Sequence, residues 1–245
     1  MVGYRVLVNA VDKVVESVEK SLRQKQIHSD DKASQVLGVF AKRPLPGRVK
    51  TRLCPPCSPE QAAALYAACL DETVARLSAC GRPLVLFHAG ERDWFADHFP
   101  AIELRPQGEG DLGQRMARAL HGLLADGFRA AALVGSDSPD LPRALVDEAF
   151  AALRTADAVT VPADDGGYVL IGCRRPCPEL FRDIAWSTAE VLDSTRQAAD
   201  RAGIRLGELS AWYDLDDAAA LRRLLQCSPG SRTAAFVRAH LASLI

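Results

Sequence analysis

The sequence predicts an α/β protein in which helices cover both faces of a mainly parallel sheet. From Gln35 onward, short apolar runs alternate with longer amphipathic stretches, which is the pattern of strands joined by helical crossovers. The apolar runs are continuous, as strands are when both faces of their sheet are buried. Ligands of such sheets bind beyond the carboxyl ends of the strands, so the residues that follow each strand are the first candidates for a site.

The elements of this sheet follow one another in chain order. A Ser58-Pro59 pair with Gln61 behind it is a capping box, and it predicts the start of a helix that ends near Gly81. Strands are predicted at 36–40, 83–88, 102–105, 130–134, 158–161 and 169–172. Helices are predicted at 58–79, around Trp94, at 113–125 and at 143–154, with further helical segments closing the chain.

The first residues predict a separate amphipathic helix. Between Arg5 and about Gln26, apolar residues recur at steps of three and four, and charged residues fill the other face. A polar link follows. We therefore divide the chain into an N-terminal helix with its linker, 1–32, and a domain, 33–245. We expect the helix to pack on that domain or to mediate contacts in a homodimer.

Composition and charge are ordinary for a globular protein. Of the 245 residues, 48% are hydrophobic and 25% are charged, and the net charge is -1. This balance gives no indication of nucleic acid or an anionic membrane as a partner. No apolar run is long enough to span a bilayer, and the N-terminus lacks a secretory signal, so we expect a cytoplasmic protein.

Cysteine usage favours reduced thiols. The chain has 7 cysteines, an odd number that argues against a disulfide framework. Cys54 and Cys57 have C-x-x-C spacing, and Cys173 and Cys177 stand further on, so four thiolates for zinc are the alternative. The second pair has a different spacing and lies far away in sequence. We expect the first pair to form a turn ahead of a helix.

The loop after the first strand carries basic residues around a single glycine, Gly47. A strand that ends in such a loop is suited to bind phosphates, because glycine lets the backbone approach the ligand and the cations neutralise its charge. The alternative is a solvated basic loop. The cations are Lys42, Arg43, Arg48, Lys50 and Arg52.

Acidic residues follow a later strand and precede the last helical run. Asp137 and Asp140 come after strand 130–134, where oxygen ligands suit Mg²⁺ or Mn²⁺ that bridges carboxylates to a pyrophosphate. Asp214, Asp216 and Asp217 precede a helical run and are candidates for a second metal carboxylate. In the alternative, the first pair caps a turn and starts a helix, while the three later acids favour a helix dipole.

A glycine pair lies between two of the predicted strands. The segment 164–168 reads D-D-G-G-Y, which permits a tight turn or a close approach to a ligand. Its acids are suited to hydrogen-bond hydroxyl groups or to act as a base. The same pattern is also that of a plain hairpin turn.

Three stretches together resemble one family. They are F-A-K-R-P-L-P-G-R-V-K-T-R-L at 40–53, G-S-D-S-P-D-L-P at 135–142 and D-G-G-Y-V-L-I-G at 165–172. From about Gln35 to Leu225 the chain resembles the bacterial GT-A-fold, nucleotide-diphospho-sugar-transferase-like proteins often described as arsenosugar-biosynthesis-type glycosyltransferases. It is also similar to 2-phospholactate guanylyltransferase and, more distantly, to molybdenum-cofactor guanylyltransferase.

The resemblance implies a GT-A-like, Rossmann-like fold and a function. That function is metal-dependent glycosyl transfer from a nucleotide sugar to a small-molecule acceptor, with Mg²⁺ or Mn²⁺ as cofactor. Nucleotide binding is assigned to Lys42, Gly47, Arg48, Lys50 and Arg52. The metal is assigned to Asp137 and Asp216, and catalysis to Asp137 and Asp165. Substrate binding is assigned to Asp140, Asp165, Gly166, Gly167 and Tyr168.

Two other functions remain open at this point. A nucleotidyltransferase of the guanylyltransferase type would join a nucleotide to a phosphorylated small molecule and release pyrophosphate. A non-catalytic nucleotide-binding protein would bind the same ligands without turnover. The sequence does not distinguish glycosyl from nucleotidyl transfer, because both need a loop for phosphates and carboxylates near it. The intact set of acidic residues argues against the non-catalytic protein.

Overall fold

The structure is a computed structural model that describes residues 31–244. The helix predicted between Arg5 and Gln26 therefore lies outside the described residues, as does almost all of the N-terminal segment 1–32. Within 31–244, no helix is both long and apolar enough to cross a membrane.

One sheet of seven strands organises the described residues, in the order β3-β2-β1-β4-β6-β5-β7. The pairs β1–β2, β2–β3, β1–β4 and β5–β7 are parallel, and β4–β6 and β5–β6 are antiparallel. The α/β class and the mainly parallel sheet are thereby confirmed. The strands are β1 (Gln35–Lys42), β2 (Leu84–Ala89), β3 (Glu103–Pro106), β4 (Ala130–Gly135), β5 (Ala158–Pro162), β6 (Tyr168–Cys173) and β7 (Leu206–Glu208).

Helices join these strands and close the described chain. In the first of them, the Ser58 side chain accepts a hydrogen bond from Gln61, and the Gln61 side chain reaches back to the backbone of Ser58, as the capping box predicted. The helices are α1 (Pro59–Ser78), α2 (Arg92–His98), α3 (Leu112–Ala125), α4 (Arg143–Ala152), α5 (Val191–Ala202), α6 (Ala218–Cys227) and α7 (Arg232–His240).

Apolar side chains fill both faces of the sheet. Successive residues of a strand point to opposite faces, so Val36 and Leu37 of β1 belong to different core clusters. One cluster joins the sheet to α1, α2 and α4, and the other joins it to α3 and α5. The prediction that helices cover both faces is therefore confirmed.

A third apolar cluster lies on the outer side of α1. Leu65 and Cys69 of α1 pack there against Leu224 of α6 and Val237 of α7, and Leu215 joins them from the segment ahead of α6. This packing fixes the C-terminal helices on α1. It thereby sets the position of the acidic segment that precedes α6.

The C-terminal half of the sheet differs from the predicted pattern in two places. Strand β6 is antiparallel to both neighbours, because the glycine-containing segment 163–167 turns the chain directly back from β5 as a hairpin. Strand β7 occurs where only helical segments were expected. It has three residues, too few to show a strand periodicity, and its pairing with β5 is a tertiary contact.

The two cysteine pairs belong to different clusters. Cys57 is buried and Cys54 half-buried at the third cluster, while Cys173 and Cys177 are buried in the cluster under α3 and α5. A shared four-thiolate zinc site would need them to converge, and the fold holds them apart. Cys54 and Cys57 lie in the turn ahead of α1.

A side chain at Gly166 is expected to destabilise the hairpin turn. The φ of Gly166, +88°, is in the left-handed region, and a Cβ there would lie 2.1 Å from the carbonyl oxygen of Ala189. Gly127 has a similar φ of +97° but no heavy atom within 4 Å of the added Cβ. Gly127→Ala should lower the free energy of unfolding by roughly 1–2 kcal/mol through backbone strain alone.

Gly166→Ala should cost roughly 1–3 kcal/mol more than Gly127→Ala, because the hairpin must also move away from Ala189. Urea unfolding of the two variants beside the wild type measures the difference. Equal losses in both variants would mean that the contact between the hairpin and Ala189 is loose.

Candidate active site

A cleft of about 620 Å³ opens at the carboxyl ends of β1 and β4, beside the β5–β6 hairpin. Its walls come from the loop after β1, the end of β4, the hairpin and the acidic segment ahead of α6. The structure thus brings together most of the side chains that the sequence singled out. Those that line the cleft are Lys42, Arg48, Lys50, Arg52, Asp137, Asp165, Gly167, Tyr168, Asp214 and Asp216.

Lys50 lies at the centre of this site. Its backbone is left-handed, with φ 49° and ψ 35°, and its side chain is only 1% exposed. The ammonium nitrogen Nζ is 2.5 Å from Oδ1 of Asp137 and 3.2 Å from Oδ1 of Asp216. A left-handed conformation at a residue other than glycine is strained, and such strain is often found at functional positions.

Neighbouring carboxylates keep Lys50 protonated. Burial works to lower the pKa of this ammonium, but the opposing charges of Asp137 and Asp216 outweigh burial and raise the pKa. Lys50 therefore stays a cation near neutral pH and below, and it balances part of the charge of the two carboxylates.

Arg52 extends the same network to the hairpin. Its Nη1 lies 3.2 Å from Oδ2 of Asp216 and 3.6 Å from Oδ2 of Asp165. The remaining cleft cations, Lys42 and Arg48, are exposed and form no ion pair with the described residues. They are available for a negatively charged ligand, whereas Lys50 and Arg52 already contact carboxylates.

Two residues of the basic loop lie apart from the cleft lining. Arg43 forms an ion pair with Glu91 at the start of α2. Gly47 occupies an exposed turn with φ +71°, and no heavy atom lies within 4 Å of the position of an added Cβ. Gly47 does not line the cleft, so the predicted close approach of its backbone to a ligand is not seen there.

The acidic segment ahead of α6 is attached directly to the end of β4. The backbone N–H of Leu215 donates to the carbonyl oxygen of Asp137 at 2.9 Å. The Ser138 hydroxyl donates to Oδ1 of Asp214 at 2.6 Å. Burial and the charges of Asp137 and Asp216 raise the pKa of Asp214 to about 6, although the bond from Ser138 works in the other direction.

Asp140 does not line the cleft, so the geometry gives no support to its predicted role in substrate binding. It is 2% exposed, and its carboxylate accepts hydrogen bonds from Tyr213 Oη at 2.6 Å and Ser228 Oγ at 2.9 Å. Trp212 Nε1 is a third donor, at 3.4 Å. The carboxylate is buried and anchors the C-terminal segment, so it is not placed to contact a ligand in the cleft.

The hairpin contributes a carboxylate and an aromatic ring. Asp165 Oδ1 accepts a hydrogen bond from the backbone of Gly167 at 3.1 Å, which fixes the turn, while Oδ2 faces Arg52. The Tyr168 ring lines the cleft, but its hydroxyl is buried and has no hydrogen-bond partner within 31–244. Gly166 lies outside the lining, and its carbonyl oxygen accepts from Leu192 at 2.9 Å.

Several residues of the site were not anticipated. Tyr66 of α1 accepts a hydrogen bond from the backbone of Lys42 at 2.9 Å and bonds Ser136 at 2.7 Å, so it ties the loop to the end of β4. Trp186 and Gln107 line the cleft from two loops. In the sequence, Tyr66 has the spacing of an ordinary core residue, and the loop residues carry no pattern that indicates a ligand.

A family profile and a solved structure are similar to this chain. A family profile described as "Uncharacterized protein conserved in bacteria (DUF2064)" matches residues 70–188. A solved structure from Desulfovibrio desulfuricans G20, described provisionally as a nucleotide-diphospho-sugar transferase, is 32% identical, with 86% of this chain and 97% of that chain covered and a TM-score of 0.80. The chain belongs to the same family as this relative. The resemblance to nucleotide-diphospho-sugar-transferase-like proteins is thereby confirmed.

More distant structures share the fold of this chain. A nucleotidyl transferase from Methanothermobacter is 12% identical, with 84% of this chain and 99% of that chain covered and a TM-score of 0.53. CMP:2-keto-3-deoxy-manno-octonic acid synthetase, solved with CTP, is 13% identical over 80% of this chain and 98% of that chain, with a TM-score of 0.50. No curated protein matches the sequence.

Asp214 is expected to make stability depend on pH. Its pKa in the folded protein, about 6, is above the usual 3.8, so the folded state binds the extra proton more readily than the unfolded state. The charged carboxylate therefore lowers stability above pH 6, and this loss disappears as the pH falls below 4. Without divalent metal, Asp214→Asn should be more stable than the wild type by roughly 1–3 kcal/mol at pH 8.

At pH 4 the wild type and Asp214→Asn should have nearly equal free energies of unfolding. Denaturant titrations across this range measure the difference, with Asp97→Asn, at an exposed position of α2, as control. A stability difference that does not vary with pH would show that the Asp214 carboxylate ionises as readily in the fold as in the unfolded chain.

Proposed function

We propose that this protein is a transferase that acts on a nucleotide sugar bound in the cleft. The observation that carries the proposal is the convergence of basic side chains from the loop after β1 with Asp137 and Asp216 at the carboxyl ends of the strands. Ligands of open α/β sheets bind at this edge. Lys42 and Arg48 would contact the diphosphate, since both side chains are exposed in the cleft and free of carboxylate partners among the described residues.

The relative from Desulfovibrio desulfuricans supports the choice of donor. It is described provisionally as a nucleotide-diphospho-sugar transferase, and this chain covers 97% of its length. The two more distant structures support only the fold, because their identities are 12% and 13%.

The carboxylates of the cleft fit a divalent metal in part. Mg²⁺ and Mn²⁺ are commonly held by one or two carboxylates together with substrate phosphates, and Asp137 and Asp216 are two half-exposed carboxylates that face one point. Within 31–244, no three His, Cys, Asp or Glu side chains form a ready metal cage, so further ligands would come from the nucleotide and water. A bound Mg²⁺ or Mn²⁺ would neutralise charge on the diphosphate.

The side chains of the site would act by positioning and by charge. Lys42 and Arg48 would stabilise the negative charge that develops on the departing diphosphate, because fixed cations need no rearrangement during the reaction. Asp165 is partly exposed beside the neighbouring depression, which is lined also by Arg223 and Asp217. It would accept a hydrogen bond from an acceptor hydroxyl and orient it.

The decisive experiment identifies the donor and the released product. Purified protein is incubated with Mg²⁺ or Mn²⁺ and a panel of nucleotide sugars or nucleoside triphosphates, each with mixed small-molecule acceptors. Release of nucleoside diphosphate from a nucleotide sugar supports the proposal. Release of pyrophosphate from a triphosphate would instead identify a nucleotidyltransferase, and binding without turnover would indicate a non-catalytic nucleotide-binding protein.

Arg48 and Arg43 form a matched pair for testing the phosphate contact. Both belong to the loop after β1, but Arg48 lines the cleft and Arg43 forms its ion pair with Glu91 outside it. Arg48→Ala should weaken the binding of nucleoside diphosphates by roughly 1.5–3 kcal/mol, since it removes a charge-assisted contact. Arg43→Ala should change this affinity little.

Isothermal titration of both variants measures the two affinities. Equal effects in the two variants would mean that only the overall charge of the loop matters. No effect in either would support the alternative of a solvated basic loop.

A further inference from the structure

The position between Asp137 and Asp216 is taken by Lys50. Both carboxylates direct an Oδ1 atom at the same ammonium, at 2.5 Å and 3.2 Å from Nζ. These are the two carboxylates that the proposed function assigns to a divalent metal. An ammonium and a metal ion cannot occupy one position, and the positive charge of Lys50 repels a second cation at close range.

Several features of the fold hold Lys50 in this position. Its backbone is left-handed, and the neighbouring Val49 is buried in the main core, so the side chain enters the cleft floor with 1% exposure. Arg52 pairs with the second oxygen of Asp216, at 3.2 Å. The carboxylate pair is therefore already neutralised before any ligand binds.

The same loop offers Lys50 a second partner. Lys42 and Arg48 line the cleft next to it and have no carboxylate partners among the described residues, so a diphosphate bound by them would bring phosphate oxygens near Nζ. The ammonium can donate a charge-assisted hydrogen bond to a phosphate oxygen just as it does to a carboxylate oxygen. Lysine suits such an exchange, because its charge is compact and its stem is flexible.

We propose that Lys50 occupies the cation position of the Asp137–Asp216 pair in the ligand-free protein and moves to the phosphates of a bound nucleotide, which frees the pair for a divalent metal. This proposal rests on the proposed function for the identity of the nucleotide. Metal and nucleotide then bind cooperatively, since each favours the same displaced position of Lys50. By linkage, the factor by which nucleotide increases metal affinity equals the factor by which metal increases nucleotide affinity.

The test measures Mn²⁺ affinity in the wild type, in Lys50→Met and in Lys42→Met. Free Mn²⁺ is followed by electron paramagnetic resonance, with and without ADP, CDP, GDP or UDP, after correction for Mn²⁺ held by the same nucleotide without protein. Lys42→Met is the matched control, because it removes another lysine of the cleft that contacts no carboxylate within 31–244. It reports on the general effect of lost positive charge.

We expect Lys50→Met to bind Mn²⁺ without nucleotide at least tenfold more tightly than the wild type, and Lys42→Met to differ from the wild type by less than threefold. We also expect nucleotide to increase the Mn²⁺ affinity of the wild type at least tenfold, and that of Lys50→Met much less. Equal nucleotide-free Mn²⁺ affinities in the wild type and Lys50→Met would overturn the proposal. Equal increases in nucleotide-free Mn²⁺ affinity in Lys50→Met and Lys42→Met would also overturn it.

The nucleotide-free comparison distinguishes this proposal from the proposed function. If no nucleotide binds, the proposed function fails. Tighter binding of Mn²⁺ to Lys50→Met than to the wild type would still show that Lys50 occupies the cation position of the two carboxylates. If Lys50→Met does not fold, as judged by its melting transition, Lys50→Gln replaces it, since its amide can donate to the two carboxylates without a charge. Where nucleotide does bind the wild type, the absence of any coupling between nucleotide and Mn²⁺ would also overturn the proposal.

Discussion

The ion pairs of Lys50 with Asp137 and Asp216 join the three segments on which the site depends. The loop after β1 supplies the cation, the end of β4 supplies one carboxylate, and the segment ahead of α6 supplies the other. A buried charge without a partner costs several kcal/mol, so each segment stabilises the position of the other two. The strained backbone of Lys50 persists because these contacts determine its conformation from both sides.

The C-terminal helices take part in the site through packing. They cover the outer side of α1, and Leu215 is fully buried in that contact, between the two acids Asp214 and Asp216. Asp140 fixes the same segment by accepting hydrogen bonds from Tyr213 and Ser228. Although the family profile matches only residues 70–188, the site also needs the loop before this range and the acidic segment after it.

Local signals made most of the fold predictable. The start of α1 follows from Ser58 and Gln61, which lie three positions apart, and the inner strands follow from continuous apolar runs. The antiparallel direction of β6 was not assigned, because the segment around Gly166 permits either a hairpin or a ligand loop. Strand β7 escaped prediction because its three residues become a strand only by pairing with β5.

Most charged residues of the cleft were predictable from the sequence, but their contacts were not. Residues after strand ends share one edge of the sheet, so Lys50, Asp137 and Asp165 were expected to lie close together. Which of them pair depends on side-chain positions that the sequence does not encode locally. Asp140 shows this most clearly, since its partners Tyr213 and Ser228 lie 73 and 88 positions further along the chain.

The balance of charge in the cleft supports the proposal that the site binds two ligands of opposite charge. Its lining contains four basic side chains, Lys42, Arg48, Lys50 and Arg52, and four acidic ones, Asp137, Asp165, Asp214 and Asp216. A diphosphate alone would add negative charge to a nearly balanced site, and a divalent metal alone would add positive charge beside Lys50. Together the two ligands compensate each other. Electrostatics therefore favours a nucleotide–metal pair over either component, in agreement with a transferase that acts on charged nucleotide donors.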